Sequence, residues 1–109
     1  MNIRRWALRL LFWLAVSMVV TSPASTSLGT MLIGHPDVDV WNHAWGYWFV
    51  PNAIGGFELP FSTRLIGLPS GGDLYFIDFI GALLGTPLAW IFGPAVAYNG
   101  VMILRLALA

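Results

Sequence analysis

The stretch WALRLLFWLAVSMVVT, residues 6–21, decides how the chain is first understood. It is apolar throughout apart from Arg9. Continued into the Ser/Thr-rich TSPASTSLG that follows, it reaches the ~20 residues that a bilayer crossing needs. The reading predicts a first transmembrane helix over residues 6–27. Arg4 and Arg5 leave residues 1–5 in the cytoplasm by the positive-inside rule, and Arg9 can snorkel back to the same interface. The competing reading is a cleaved signal peptide, with MNIRR as its basic region and Ser22-Pro23-Ala24 as a poor cleavage site. The rest of the chain is too apolar to suit a secreted protein.

Composition agrees with a membrane protein. The 109 residues are 58% hydrophobic and 9% charged, with a mean hydropathy of +0.77. A soluble domain carries about 25% charged residues. The formal net charge is zero, so no basic excess attracts nucleic acid. The absence of cysteine excludes a disulfide framework and a thiolate metal site. The charges are segregated: Arg4, Arg5 and Arg9 open the chain, Arg105 nearly closes it, and all five acids lie between with Arg64. The middle, residues 28–93, is therefore expected as an external loop carrying membrane-parallel helices.

Within that loop HPDVDVWNHAWGYWFV, residues 35–50, reads as a helix. Pro36 suits the first helical position, and Asp37 and Asp39 fall in the first turn, where the helix dipole favours negative charge. Pro51 is expected to stop it. Helical spacing places Asp37, Trp41, Trp45 and Trp48 on one face and Asp39 and His43 on another. Three Trp with Tyr47 match an interfacial aromatic belt. Residues 51–73 form a Pro/Gly-punctuated loop. Residues 74–92, LYFIDFIGALLGTPLAWIF, are long enough to span, but they carry Asp78 and Pro87. No basic residue stands at the Gly93-Pro94 junction to mark a return to the cytoplasm. One or two broken helices on the outer leaflet are expected there, with Gly81 and Gly85 as a GxxxG pair open to a neighbouring helix. From Pro94 a second transmembrane helix begins, and residues 94–109 are too short to complete it. The expectation is the N-terminal piece of a longer multi-pass, all-α integral membrane bundle.

The candidate chemistry centres on DVDVWNH, residues 37–43. Two carboxylates and an imidazole can activate a hydroxyl or hold a divalent cation; the structural alternative is a capped surface helix with His43 facing water. His35, Asp39 and His43 follow at i, i+4 steps, although Pro36 disfavours helical geometry at His35. Arg64 suits a phosphate or a lipid headgroup, or a surface pair with Glu58. The turn at Pro69-Ser70-Gly71-Gly72-Asp73 reads as a plain turn with Asp73 capping the next helix. Asp78 sits in apolar sequence and requires a partner or a raised pKa. The Trp41/Trp45/Trp48 face suits lipid anchoring or a substrate platform.

In order, these elements are a basic start, an apolar helix, a D-x-D, the Trp/His-rich WNHAWGYWF, the ELPF…LPSGG loop and GPAVAYN opening a last helix. The chain thereby resembles the N-terminal part of bacterial multi-pass membrane glycosyltransferases of the C-type architecture. The resemblance covers nearly the whole chain beyond the first helix, and no single motif in it is diagnostic. It implies transfer of a sugar from a polyprenyl-phosphate-type donor on the non-cytoplasmic face of the bacterial inner membrane. Asp37 and Asp39 would then be catalytic base or metal ligands, with Mg²⁺ or Mn²⁺ as the cation. His43, Trp41, Trp45, Arg64 and Asp78 would bind substrate. Pro69 and Gly71 match the family's loop, and Ala97, Tyr98 and Asn99 its helix opening. The implied partners are membrane lipid, the lipid-linked donor and the remainder of the chain itself, without nucleic acid. The alternative is a non-enzymatic membrane protein, a transporter or assembly subunit, with an acidic external helix.

Overall fold

The computed structural model describes residues 2–67, 69–73 and 78–109. Four helices carry the architecture: α1 (Ile3–Val20), α2 (Val40–Gly55), α3 (Phe79–Phe92) and α4 (Pro94–Leu108). A single 3₁₀ turn (Ala24–Thr26) follows α1, and a small antiparallel hairpin, β1 (Ser62–Thr63) with β2 (Gly72–Asp73), lies between α2 and α3. The hairpin register pairs Ser62 with Asp73 and Thr63 with Gly72. Helix α4 is central, packing on α1, α2 and α3, while α2 also packs on α3.

The integral-membrane expectation is overturned. Among the described residues no helix is long and apolar enough to cross a membrane. At 1.5 Å per residue, the 18, 14 and 15 residues of α1, α3 and α4 extend about 27, 21 and 22 Å, against a hydrocarbon core of about 30 Å. Helix α1 also includes Arg4, Arg5 and Arg9. The placement as a multi-pass inner-membrane protein, with spans at 6–27 and 94–109 and an external loop between, falls with it.

The physical reason lies in the Ser/Thr segment that was expected to lengthen the first helix. Instead of continuing α1, it closes it. The Thr21 hydroxyl donates to the Ser17 carbonyl at 2.8 Å, and the Ser25 hydroxyl reaches back to the Met18 carbonyl at 2.5 Å. The Ser17 carbonyl still accepts the Thr21 N–H, but the Met18 carbonyl holds the Ser25 hydroxyl while the Ser22 N–H turns to the Val19 carbonyl at 3.2 Å, and Pro23 has no N–H to carry the helix further.

Helix α2 is shifted relative to its expected position. Residues 36–39 form turns, and the helix starts at Val40 with Asp39 at the N-cap, whose side chain makes no capping bond. Pro51 does not stop the helix, which runs four residues beyond it to Gly55. Pro87 likewise sits inside an unbroken α3; the start of the predicted 74–92 stretch, residues 74–77, lies outside the described residues. An interior proline costs about 3 kcal/mol; here a tertiary bond supports the helix at Pro51 and an intrahelical one stands beside Pro87. The Trp90 indole of α3 donates to the Pro51 carbonyl at 3.1 Å, and the Thr86 hydroxyl donates to the Ala82 carbonyl at 3.0 Å. Between α3 and α4 the chain does turn at Gly93, whose φ of +92° is open to glycine, and Pro94 begins α4.

The core is small and partly polar. Tyr47, Val50 and Asn99 are its largest fully buried side chains, with Val40, Ala82, Ala97, Tyr98 and Val101 around them. Asn99 fastens the segment before α2 onto α4. Its amide donates to the carbonyls of Leu28 (2.8 Å) and Met31 (2.6 Å), and its oxygen accepts the Ile33 N–H at 2.9 Å. The Tyr98 hydroxyl adds a 2.7 Å bond to the Ile33 carbonyl. The high apolar content is accounted for at the surface: Trp6, Leu11 and Phe12 of α1 and Ile80, Leu84 and Ile91 of α3 are all exposed.

Replacing Asn99 with Ala leaves three backbone groups without their buried partner. Each unsatisfied group costs about 1–3 kcal/mol, so urea denaturation followed by circular dichroism is expected to show a loss of about 3 kcal/mol or more. Tyr98→Phe, which removes one bond, is expected to cost about 1 kcal/mol.

Candidate functional site

Asp78, the carboxylate that its apolar sequence surroundings mark as needing a partner, has several. It is the N-cap of α3, where its Oδ1 accepts the Gly81 N–H at 3.2 Å. From α4, Arg105 approaches as a fork, Nη1 to Oδ2 at 2.8 Å and Nη2 to Oδ1 at 2.7 Å. From α2, the Tyr47 hydroxyl donates to Oδ2 at 2.9 Å. Both oxygens thus carry two donors, the bidentate arrangement in which Arg and carboxylate interact most strongly. The Asp78 side chain is 9% exposed and that of Arg105 44%.

Burial pushes the Asp78 carboxyl up, but the bonds from Arg105, Tyr47 and Gly81 outweigh it and hold it below the ordinary carboxylate range. Burial, then the hydrogen bond to Asp78, pushes the Tyr47 phenol well up, so Tyr47 is a permanent donor at neutral pH. Arg105 is held protonated by its bonds to Asp78. With all its acceptor positions occupied, Asp78 joins three helices and offers no free carboxylate to a substrate.

The GxxxG pair makes this junction possible. A side-chain carbon on Gly81 would collide with the Tyr47 hydroxyl and the Asp78 carboxylate; one on Gly85 would stand 2.9 Å from the Tyr47 ring. The neighbour admitted by the two glycines is therefore α2, through Tyr47. Sequence reasoning does not single out Tyr47 or Arg105 as functional. A signal exists, since Asp78 and Arg105 are the only charged residues from position 74 onward, and two lone opposite charges in an apolar run have reason to meet.

The acidic segment is arranged differently. Asp37 lies in the turn before α2, off the Trp face to which helical spacing assigns it, with its side chain 85% exposed. Its backbone N–H donates to the His35 Nδ1 at 3.3 Å, and its Oδ2 stands 3.5 Å from the same nitrogen. Asp39 is exposed and accepts a long bond from the Asn42 amide at 3.4 Å. Because α2 starts only at Val40, the His35, Asp39, His43 row does not exist as a helix face. Pro36 disfavours helix at His35 and so takes that residue out of the row. His43 is half-buried, and its Nδ1 has no hydrogen-bond partner among the described residues. Trp41 is exposed, whereas Trp45 stacks on Phe49 with centroids 4.9 Å apart.

Two concavities adjoin these groups. An apolar groove of about 330 Å³ is lined by Leu32, Pro36, Val40, Trp41, Pro94 and Ala95 among others, so the acidic turn lies at its edge. A polar cleft of about 870 Å³ is formed around the hairpin by Glu58, Ser62, Thr63, Arg64, Ser70 and Asp73 with Gly71 and Gly72. Arg64 makes no ion pair with Glu58 or with any other described residue. Asp73 is in β2 and caps no helix, since α3 is capped by Asp78.

No group of three or more His, Cys, Asp or Glu is placed to hold a metal ion among the described residues. Asp37 and Asp39 supply two carboxylates, so the other oxygen donors of a Mg²⁺ held there would be water or substrate phosphate. Comparison with protein-family models, curated proteins and solved structures finds no match to this chain.

The Asp78 junction has a pH signature. A carboxyl whose folded pKa lies below its unfolded value contributes stability above the unfolded pKa and loses it as pH falls through the folded one. The wild-type chain is expected to lose stability below about pH 4, and Asp78→Asn to lack that component. At pH 7 the same substitution is expected to cost about 1–3 kcal/mol, less than a fully buried pair because Arg105 stays half in water. Denaturation curves at pH 3 and pH 7 check both.

Proposed function

We propose that this chain contributes the acceptor-activating segment of a glycosyltransferase that uses a sugar carried on a polyprenyl-phosphate-type donor. The order of motifs supports the reading, which takes from the C-type glycosyltransferases their chemistry and not their membrane-spanning topology. The observation that carries it is the position of Asp37 and Asp39. These are exposed carboxylates with spare acceptor capacity, at the edge of an apolar groove whose lining includes Pro36, Val40 and Trp41. A prenyl chain or another apolar substituent suits the groove, and a hydroxyl suits the carboxylates.

The step asked of them is proton removal. A carboxylate oxygen accepts a hydrogen bond from the acceptor hydroxyl and takes its proton as the oxygen attacks the anomeric carbon. The bond from that carbon to the phosphate oxygen breaks, and the electron pair leaves with the polyprenyl phosphate.

A general base contributes about 10²–10⁴ in rate. Asp37→Asn or Asp39→Asn, made in the protein expressed from its own gene, is therefore expected to lower glycosyl transfer from a polyprenyl-phosphoryl hexose at least about a hundredfold. The melting temperature should stay the same, since both residues are exposed. Transfer left intact by both substitutions overturns the reading.

A second reading, a non-catalytic subunit of a larger assembly, is favoured by the exposed apolar faces of α1 and α3. Patches of this kind mark surfaces that other molecules cover. Under it, Phe12→Ser with Ile91→Ser is expected to abolish association seen by sedimentation, while the two aspartate variants are silent.

A further inference from the structure

The polar cleft beside the hairpin has no part in the proton removal proposed for Asp37 and Asp39, and of its lining only Arg64 carries a substrate-binding expectation from the sequence. We propose that it is a saccharide-binding site for an uncharged pyranose unit; the inference deepens the glycosyl-transfer reading and rests on it for the class of ligand.

The cleft's volume, about 870 Å³, is within the ~300–1,000 Å³ of small-molecule sites. Its walls differ from the usual apolar lining of such sites. Glu58, Arg64 and Asp73 contribute three charged side chains, and Ser62, Thr63 and Ser70 three hydroxyls. The charged groups are not spent on one another, since none of the three forms an ion pair among the described residues. Among the same residues the Thr63 hydroxyl only accepts, from the Leu65 N–H, and keeps its own proton to donate. Carboxylates accept from neighbouring sugar hydroxyls, a guanidinium donates to ring and hydroxyl oxygens, and serine and threonine do both, although the Ser70 hydroxyl already donates to the Gly67 carbonyl at 3.2 Å and is left to accept.

Charge decides between ligands. One Arg against two carboxylates leaves the cleft formally negative, which disfavours a phosphate and favours a neutral polyol. The cleft brings together two carboxylates, and no group of three or more His, Cys, Asp or Glu is placed to hold a metal ion among the described residues. Its shape is fixed by backbone: Gly67 and Gly71 have φ of +62° and +82°. A side-chain carbon on Gly71 would stand 2.8 Å from the Thr63 carbonyl oxygen, and one on Gly67 2.7 Å from that of Gly71. The Gly71 N–H bonds the Gly67 carbonyl at 3.0 Å and closes the loop. The hairpin therefore holds Thr63 and Arg64 against Gly71 and Gly72 before any ligand arrives.

The test is titration of the whole chain with methyl pyranosides (gluco, manno and galacto), following the amide resonances of Thr63, Gly71 and Gly72. Saturable shifts are expected with at least one pyranoside. Glu58→Gln and Arg64→Gln, both exposed and so compatible with folding, are expected to weaken binding about tenfold each by removing a charge-assisted hydrogen bond. Inorganic phosphate and Mg²⁺ serve as competing probes. Shifts produced by either of them and by no pyranoside overturn the proposal, as does pyranoside binding indifferent to both substitutions. A geranyl-phosphoryl hexose that binds more tightly than the methyl glycoside assigns the pyranose to a lipid-linked donor; equal affinity assigns it to a free saccharide. Pyranoside binding retained in Asp37→Asn and Asp39→Asn, with transfer unaffected by those changes, would remove the proposed reaction and keep the cleft. Loss of transfer in those variants without pyranoside binding at the hairpin would do the reverse.

Discussion

A buried carboxylate must be neutralised or fully hydrogen-bonded, and the way Asp78 meets that demand organises the rest of the molecule. Its donors come from three helices: the amide of Gly81 on α3, the phenol of Tyr47 on α2 and the guanidinium of Arg105 on α4. Each donor imposes a further requirement. Tyr47 reaches the carboxylate only because α3 presents glycine at 81 and 85, where any side chain would occupy the space of its ring or hydroxyl. Arg105 reaches it only because Gly93 and Pro94 reverse the chain and bring α4 back along α3. In a chain with little apolar core, a polar junction of this kind fixes which helices are neighbours, a role in which burial alone is less discriminating.

A second polar anchor, at the adjacent Tyr98 and Asn99, connects the scaffold to the surface where the chemistry is proposed. Tyr98 and Tyr47 meet edge to face, with ring centroids 5.5 Å apart, so the anchor and the Asp78 junction share one wall of the core. By holding the carbonyls of Leu28, Met31 and Ile33, Tyr98 and Asn99 fix the segment that precedes the acidic turn. The groove beside Asp37 and Asp39 is built from that segment together with the starts of α2 and α4. The AYN sequence, which the family resemblance marks without explaining, thus shapes the groove from behind.

Local chemistry is readable in the sequence where one residue type has one use. Glycine followed by proline at 93–94 marks the turn between two helices, and an aspartate in apolar surroundings needs a partner. The membrane assignment fails because hydropathy counts the Ser/Thr segment as a weak interruption, whereas α1 ends at Val20, the Ser25 hydroxyl holds the Met18 carbonyl and Pro23 lacks the N–H to continue the helix. Pro51 is a weaker helix breaker than its local penalty implies, since a bond from a residue distant in sequence, Trp90 to the Pro51 carbonyl, supports the helix there. At the site, Asp37 and Asp39 are legible as exposed acids. The groove beside them and the cleft around Arg64 are not, because each is assembled from segments that no spacing rule relates.

At the α3–α4 turn, an added side-chain carbon on Gly93 would meet nothing within 4 Å. Glycine is therefore not required there for want of room, as it is at Gly81 and Gly85. The backbone at φ +92°, ψ 165° mirrors an extended conformation that L-residues adopt freely, so a D-amino acid of almost any size would fit. The reversal that brings Arg105 to Asp78 thus depends on handedness: among the encoded amino acids, only the achiral one occupies position 93 without strain.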